Sequence, residues 1–384
     1  MDEDVEGSMD FNLNEQEKML RQAARDFSIK NILPRASEID QGKYPFDLIQ
    51  ELGKLGYAGL PFATAYGGNG AGYLSFALVL EQICQASMSV GAMMSVNITP
   101  AEAVLRYGTE EQKKRLITPI AQGKAFGCIA FTEADTGSDP RMITSTSHKV
   151  GNNYILNGHK QFVCNAPGAN YALVFTRSET EGLNAFIVDT SIPGFKIEST
   201  AETLGARGAG TSVVVLDELR VPQENLLGTP GQGFDILLEA ISVEKLWVGI
   251  QALGIAQAAL DVALSYAKER KAMGKPISKL LSIQTHLAEM ASQVEAARWL
   301  AYRIAYIRDH GQDIRYESAM IKLFASQAAV AVTEMGMQIT GAYGAMKSMP
   351  IERMYRDAKI TKIYVGIAEV QRVIIPNTLI NKAG

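Results

Sequence analysis

The spacing of apolar residues changes twice along this chain, and that double change limits the fold more than any other feature. From Asn14 to about Gln122 apolar residues recur at helical spacing. Asn14 with Glu17 has the pattern of a capping box, and Met19, Leu20, Ala23, Ala24 and Phe27 follow on one face. Pro34 ends that segment, Phe46 to Leu55 opens another, and a further apolar helix is predicted around Leu74 to Ser87. Thr109 to Gln112 starts a capped helix reaching about Gln122. The glycines of Tyr66 to Gly72 follow no strand and have GxGxG spacing, so they read as a connecting loop. Near Gly127 the pattern shifts to short β-branched and aromatic runs split by turn residues. These are Lys149-Val150 and Tyr154 to Leu156 around Gly151-Asn152-Asn153, then Tyr171 to Phe175, Ala185 to Val188, Phe195 to Ile197 and Thr211 to Leu216. Such spacing suggests a small antiparallel barrel or sandwich. From Phe234 the helical period returns in four long segments, Phe234 to Arg270, Leu280 to His310, Arg315 to Gly341 and Ile351 to Arg372, the last with a break. Long helices joined by short loops read as a bundle. Three domains are expected, over residues 9–126, 127–231 and 232–384.

Composition removes several function classes. Lys and Arg number 37 against 41 Asp and Glu, a net charge of −4, so there is no basic field to hold a nucleic acid. No apolar run is read as approaching the ~20 residues of a membrane span, and no membrane partner is expected. The start, Met1-Asp2-Glu3-Asp4, is acidic where a leader would be basic, and Met1 to Ser8 is given no role in the fold. Three dispersed cysteines, Cys84, Cys128 and Cys164, fit a reducing compartment, and a cytoplasmic location is expected. The four histidines show no metal-ligand spacing, and CxxC, HExxH, GxSxG and Walker A patterns are absent.

Several motifs carry more specific information. They are Ala130-Phe131-Thr132-Glu133 with Gly137-Ser138-Asp139, Asn157-Gly158-His159-Lys160, Gly205 with Arg207, and Arg220-Val221-Pro222. Further on come Tyr266 with Arg270 and Gly274, Gln338 to Gly344, Arg356 to Ile360, and Gln371-Arg372. In this order they resemble the acyl-CoA dehydrogenase flavoproteins over nearly the whole chain. The resemblance implies an α+β fold with an N-terminal helical domain, a middle antiparallel β-barrel and a C-terminal four-helix bundle. It also implies bound FAD and a homotetramer. Ile129, Phe131, Thr132, Gly137 and Ser138 would line the flavin ring and its phosphates, where backbone N–H groups and hydroxyls bind without bulk. Phe162 falls where an aromatic residue lies against the flavin. Cys164 stands where a Thr would donate to flavin N5; a thiol is a poorer donor. Arg270 and Gln338, with Met273 and Gly341, would contact a cofactor held by a neighbouring subunit. Met273 and Leu281 replace the usual Phe and Gln there, Ala342 replaces a Gly, and Ile367 and Glu369 replace a Thr and a Gln.

One departure concerns catalysis directly. Members of the family commonly carry the catalytic glutamate after a Tyr near the chain end; here that Tyr is Tyr364 and Val365 follows. A minority branch takes the base from the first long C-terminal helix, and Glu244 occupies the matching position. Ala240, Ile241, Trp247 and Val248, three and four residues away, are all apolar, which turns Glu244 inward. Lys245, one residue on, points about 100° away. Burial should raise the Glu244 pKa and make it a stronger base for an α-proton beside a thioester. The expected reaction is FAD-dependent α,β-desaturation of an acyl thioester, with Glu244 as base and flavin N5 as hydride acceptor. The moved base resembles the branch that oxidises L-prolyl groups on acyl or peptidyl carrier proteins, giving a pyrroline or pyrrole thioester. The alternatives are a short branched-chain acyl-CoA dehydrogenase coupled to an electron-transferring flavoprotein, and a degenerate member acting as a binding or scaffold protein. A nitroalkane oxidase is disfavoured, because the residue after Tyr364 is not Asp.

Overall fold

The computed structural model describes residues 12–382, so the segment Met1 to Ser8 and residues 9–11 lie outside the described residues. Six helices come first: α1 (Glu15–Phe27), α2 (Ala36–Asp40), α3 (Phe46–Lys54), α4 (Gly72–Ala86), α5 (Met88–Tyr107) and α6 (Glu110–Ala121). Both expected capping boxes form. Asn14 Oδ1 accepts from Glu17 N at 2.9 Å while Glu17 Oε2 accepts from Asn14 N at 2.8 Å, and Thr109 pairs with Gln112 in the same way. The first segment ends earlier than Pro34: α1 stops at Phe27 and continues as a π turn over Ser28–Ile32. Periodicity alone does not part α5 from α4. Ser87 does so, with an extended backbone and its Oγ accepting from Val90 N. Both helices are buried on nearly all faces.

The middle region contains β1 (Gly127–Ala130), β2 (Thr146–Val150), β3 (Asn153–Val163), β4 (Tyr171–Ser178), β5 (Gly182–Asp189), β6 (Phe195–Thr200), β7 (Ser212–Pro222) and β8 (Leu226–Leu227). The runs predicted from sequence fall inside these strands, apart from Thr211 at the start of the last, but the expected antiparallel barrel does not form. The strands make one open, mixed sheet in the order β6-β7-β3-β2-β4-β5-β8, with β1 beside β4. Both β1 and the first residues of β2 pair parallel with β4. The end strands do not meet, and β6, with Lys196 and Glu198 exposed, is a charged edge that discourages further pairing. Turn spacing reveals hairpins such as β2–β3 around Gly151 and Asn152. A parallel pairing over some 40 residues of separation leaves no such mark.

The helical period then resumes. The 37-residue α7 (Gly233–Glu269) leads through a small hairpin, β9 (Lys271–Ala272) and β10 (Lys275–Pro276), to α8 (Leu281–Asp309) and α9 (Arg315–Thr340). The final predicted segment is two helices, α10 (Pro350–Thr361) and α11 (Ala368–Lys382). Among the described residues α7 alone is long and apolar enough to cross a membrane, contrary to the sequence reading. Its apolar surface is accounted for by packing: Leu246, Trp247, Ile250, Leu253 and Ala259 are all fully buried in the bundle interior. Asn97 of α5 ties the helices to the sheet, its Oδ1 accepting from Gly127 N at 2.8 Å.

Candidate active site

Glu244 lies inside the molecule, 4% exposed, at the junction of α5 and α7. Ala240, Trp247 and Val248 around it are fully buried, as their spacing predicted. Trp247, three residues along α7 from Glu244, stacks on Tyr73 and meets Phe76 edge-on. Both carboxylate oxygens are held from α5: Ser95 Oγ donates to Oε1 at 2.8 Å and Thr99 Oγ1 to Oε2 at 2.7 Å. Burial raises the Glu244 pKa, the two hydroxyls pull it back, and Glu102 raises it further, leaving it at about 7. Glu102 is itself lifted to about 7 by burial, and its Oε2 accepts from the Tyr73 hydroxyl at 2.5 Å. Lys245 does not reach solvent: it too is buried, with a pKa lowered by burial to about 8.

Two further elements converge on this carboxylate. Its charge is felt by Cys164, just past the end of β3, and by Tyr364, on the turn between α10 and α11. The end of β3, the turn after it and the Tyr364 turn hold residues with left-handed backbone that are not glycine: Phe162 (φ 58°), Asn165 (φ 67°) and Val365 (φ 54°). For β-branched Val365 this conformation costs on the order of 1–3 kcal/mol, and such strain persists where surrounding contacts enforce it. At Asn165 the contacts are visible. Its Nδ2 donates to Gly127 O at 2.9 Å, and its Oδ1 accepts from Tyr44 Oη at 2.6 Å.

The flavin-binding candidates form two sets. The first lies on β1, the turn after it and the end of β3. Ile129, Phe131 and Thr132 are half-buried, and Gly137 and Ser138 are exposed. The turn is shaped from behind by Glu133, which accepts from Thr144 N, Thr144 Oγ1, Ser145 N and Lys160 Nζ at 2.6–2.9 Å. Burial alone would raise the Glu133 carboxyl; Lys160 and the other donors hold it down at about 2. Gln161 N donates to Thr132 O at 2.8 Å and fixes the turn to β3. Against this frame Phe162 presents its ring 65% exposed, and a Cβ at Gly137 would meet only Thr132 Cγ2, at 3.8 Å. An uncovered aromatic face beside an open polar cradle fits a flat ring with a phosphate tail. The Cys164 thiol points elsewhere, donating to Ala209 O at 3.3 Å. The second set lies at the far end of α7 and α9. Arg270 packs over the Tyr343 ring, Gln338 and Gly341 are exposed beside it, and Met273 tips the β9–β10 turn, 91% exposed.

The chain matches the acyl-CoA dehydrogenase N-terminal domain over residues 14–124, the middle domain over 128–219 and the C-terminal domain over 231–380. The chain belongs to the acyl-CoA dehydrogenase family. It is 38% identical to the mouse short-chain specific acyl-CoA dehydrogenase, mitochondrial, over 96% of this chain and 91% of that protein. It superposes on butyryl-CoA dehydrogenase from Megasphaera elsdenii with a TM-score of 0.95, at 35% identity over 97% of this chain and all of that one. The prolyl acyl carrier protein oxidase AnaB is also similar, with a TM-score of 0.92 at 28% identity over 96% of this chain and 100% of AnaB. As a member of this family the protein is an FAD-dependent enzyme that oxidises the CH–CH group of an acyl thioester. The expected cytoplasmic location is corrected by these comparisons, since the mammalian relatives of this chain are mitochondrial enzymes.

Sequence reasoning missed the partners of Glu244. Ser95, Thr99 and Glu102 interrupt an apolar helix at intervals of four and three residues, and Gln251 lies seven residues beyond Glu244. The spacing of four and three residues puts Ser95, Thr99 and Glu102 on one face of a largely apolar helix, which is the signal that marks them.

Proposed function

We propose that this enzyme is a short-chain acyl-CoA dehydrogenase in which Glu244 removes the α-proton, and that it passes its electrons to an electron-transferring flavoprotein. The observation that carries this reading is Glu244 itself: a buried carboxylate with a pKa near 7, held by two hydroxyls, in a chain where Val365 offers no base. A base is most effective with a pKa near the working pH. The carboxylate takes the proton as the Cα–H bond breaks, and its burial keeps water from competing. FAD held by Phe131, Thr132, Ser138 and Phe162 would supply the two-electron oxidation at Cβ. The similarity to short-chain enzymes at 38% identity supports this class more strongly than the 28% similarity to AnaB supports a prolyl carrier substrate. Side-by-side turnover of butyryl-CoA and a carrier-bound prolyl thioester tests the choice. Preference for butyryl-CoA is expected, and exclusive use of the prolyl thioester refutes it.

The second set of flavin-binding candidates supports a homotetramer in which one copy's Arg270, Met273, Gln338 and Gly341 reach a cofactor seated on Phe131, Thr132, Ser138 and Phe162 of another. In this arrangement Arg270→Ala weakens FAD retention by about tenfold, the loss of one charge-assisted contact. Flavin absorbance after gel filtration reads the effect; unchanged retention removes Arg270 from the site.

A further inference from the structure

The turn between α10 and α11 has no carboxylate after Tyr364, yet it is connected to Glu244 by side chains. Tyr364 Oη donates to Gln251 Oε1. Gln251 Nε2 donates to Ser95 Oγ at 2.9 Å, and Ser95 Oγ donates to Glu244 Oε1 at 2.8 Å. Gln251 and Ser95 are fully buried. The direction of this chain is fixed by chemistry. An amide oxygen can only accept and an amide N–H can only donate, so Gln251 takes the tyrosine proton on one side and fills a serine lone pair on the other. Ser95 has one proton, with two acceptors near it: the Glu244 carboxylate at 2.8 Å and Ala92 O at 3.2 Å. The charged acceptor is the stronger one.

We propose that Tyr364 and Gln251 act as positioning residues for the base: through Ser95 they fix which way the Glu244 carboxylate faces, so that the turn which lacks the base aims it. The inference rests on the reading of Glu244 as the base. The turn is suited to this role because it is rigidly held. Lys322 Nζ donates to Lys362 O at 3.0 Å, Gln371 Nε2 donates to Gly366 O at 3.1 Å, and Val365 lies between them in its strained conformation. With Gln251 removed, Ser95 is released to turn toward Ala92 O. Glu244 Oε1 then loses its donor, while Thr99 alone restrains the other oxygen. The other ionisable groups facing Glu244 are Glu102 from α5, Cys164 from the end of β3 and Tyr364 itself, with Lys245 adjacent on α7. The substitutions below leave the first two and Lys245 in place.

A double-mutant cycle on the FAD-loaded, full-length enzyme tests this. Gln251→Met and Tyr364→Phe are each expected to lower kcat for butyryl-CoA by about 10-fold, with KM changed by less than about threefold, and the double variant to be no slower than the slower single one. In all three the rising limb of the kcat/KM pH profile moves to higher pH by a similar amount, because the Glu244 anion has lost one donor. Losses that multiply in the double variant, or a limb that stays in place, overturn the proposal. Flavin content and melting temperature show whether Gln251→Met folds; if it does not, the cycle is run with Ser95→Ala and Tyr364→Phe, with the same two outcomes. Glu244→Gln separates the two levels. If it turns over normally, the base assignment fails and this inference with it; if it is inactive while the losses multiply, only the positioning role fails.

Discussion

Glu244→Gln is expected to lower kcat by about 10³–10⁴-fold while FAD stays bound, the size of effect given by losing a positioned general base. The substitution keeps the shape of the side chain and its burial between α5 and α7 but replaces the carboxylate by an amide too weakly basic to take the proton. Ser95 and Thr99 have hydroxyls that rotate, so each can still pair with an amide. The same variant carries a stability signature. Burial raises the Glu244 pKa to about 7 in the folded protein, above its value of 4.5 in an unfolded chain. The folded state therefore binds the proton more tightly, and keeping the carboxylate ionised destabilises the fold as pH rises from about 5 to 7. Glu244→Gln has no such cost. Relative to wild type it should gain stability across that window, reaching on the order of 3 kcal/mol above it. Denaturant melts of both proteins at several pH values check the trend; a difference that shrinks as pH rises contradicts the raised pKa.

Lys160→Met is expected to destabilise the protein by about 3 kcal/mol and to strip much of its FAD. Lys160 Nζ lies 2.7 Å from Glu133 Oε1, and both side chains are removed from water. Deleting one partner of a buried pair leaves the other charge uncompensated, which costs more than the pair itself contributes. Three donors from Thr144 and Ser145 remain on Glu133, so the loss falls at the lower end of the usual range. The effect on FAD follows from position: Glu133 follows Thr132 directly, and Lys160 also reaches toward Phe131 O, so the pair shapes the turn proposed to hold the flavin. Denaturation midpoints and flavin-to-protein absorbance measure the two effects. A destabilised variant with full flavin occupancy makes the pair a purely structural feature.

Much of this was legible in the order of residues because it depends on local chemistry. Asn14 and Thr109 announce their helices through capping boxes, and the apolar neighbours of Glu244 declare its burial. The motifs around Phe131 to Asp139 announce a polar turn after β1, since glycine, hydroxyl and Asp residues favour turns. What stayed hidden depends on distant parts of the chain meeting. The open sheet follows from β4 accepting β1 and β2 as parallel neighbours, which no hairpin spacing encodes. A turn of about 100° from Glu244 does not say what Lys245 meets; α7 is surrounded by other helices at that level, so Lys245 is buried as well. Ser95, Thr99 and Gln251 are ordinary residues singly. They become a site only when α5 is laid against α7 and the Tyr364 turn closes over them.

Hydrogen exchange at the substrate α-carbon addresses the base most directly, because it follows the proton and not the electrons. The FAD-loaded wild type, given butyryl-CoA in D₂O without an electron acceptor, should wash deuterium into the α-position, read by mass spectrometry. The Glu244→Gln enzyme should leave that position unlabelled. Labelling by Glu244→Gln at the wild-type rate would show that another group takes the proton.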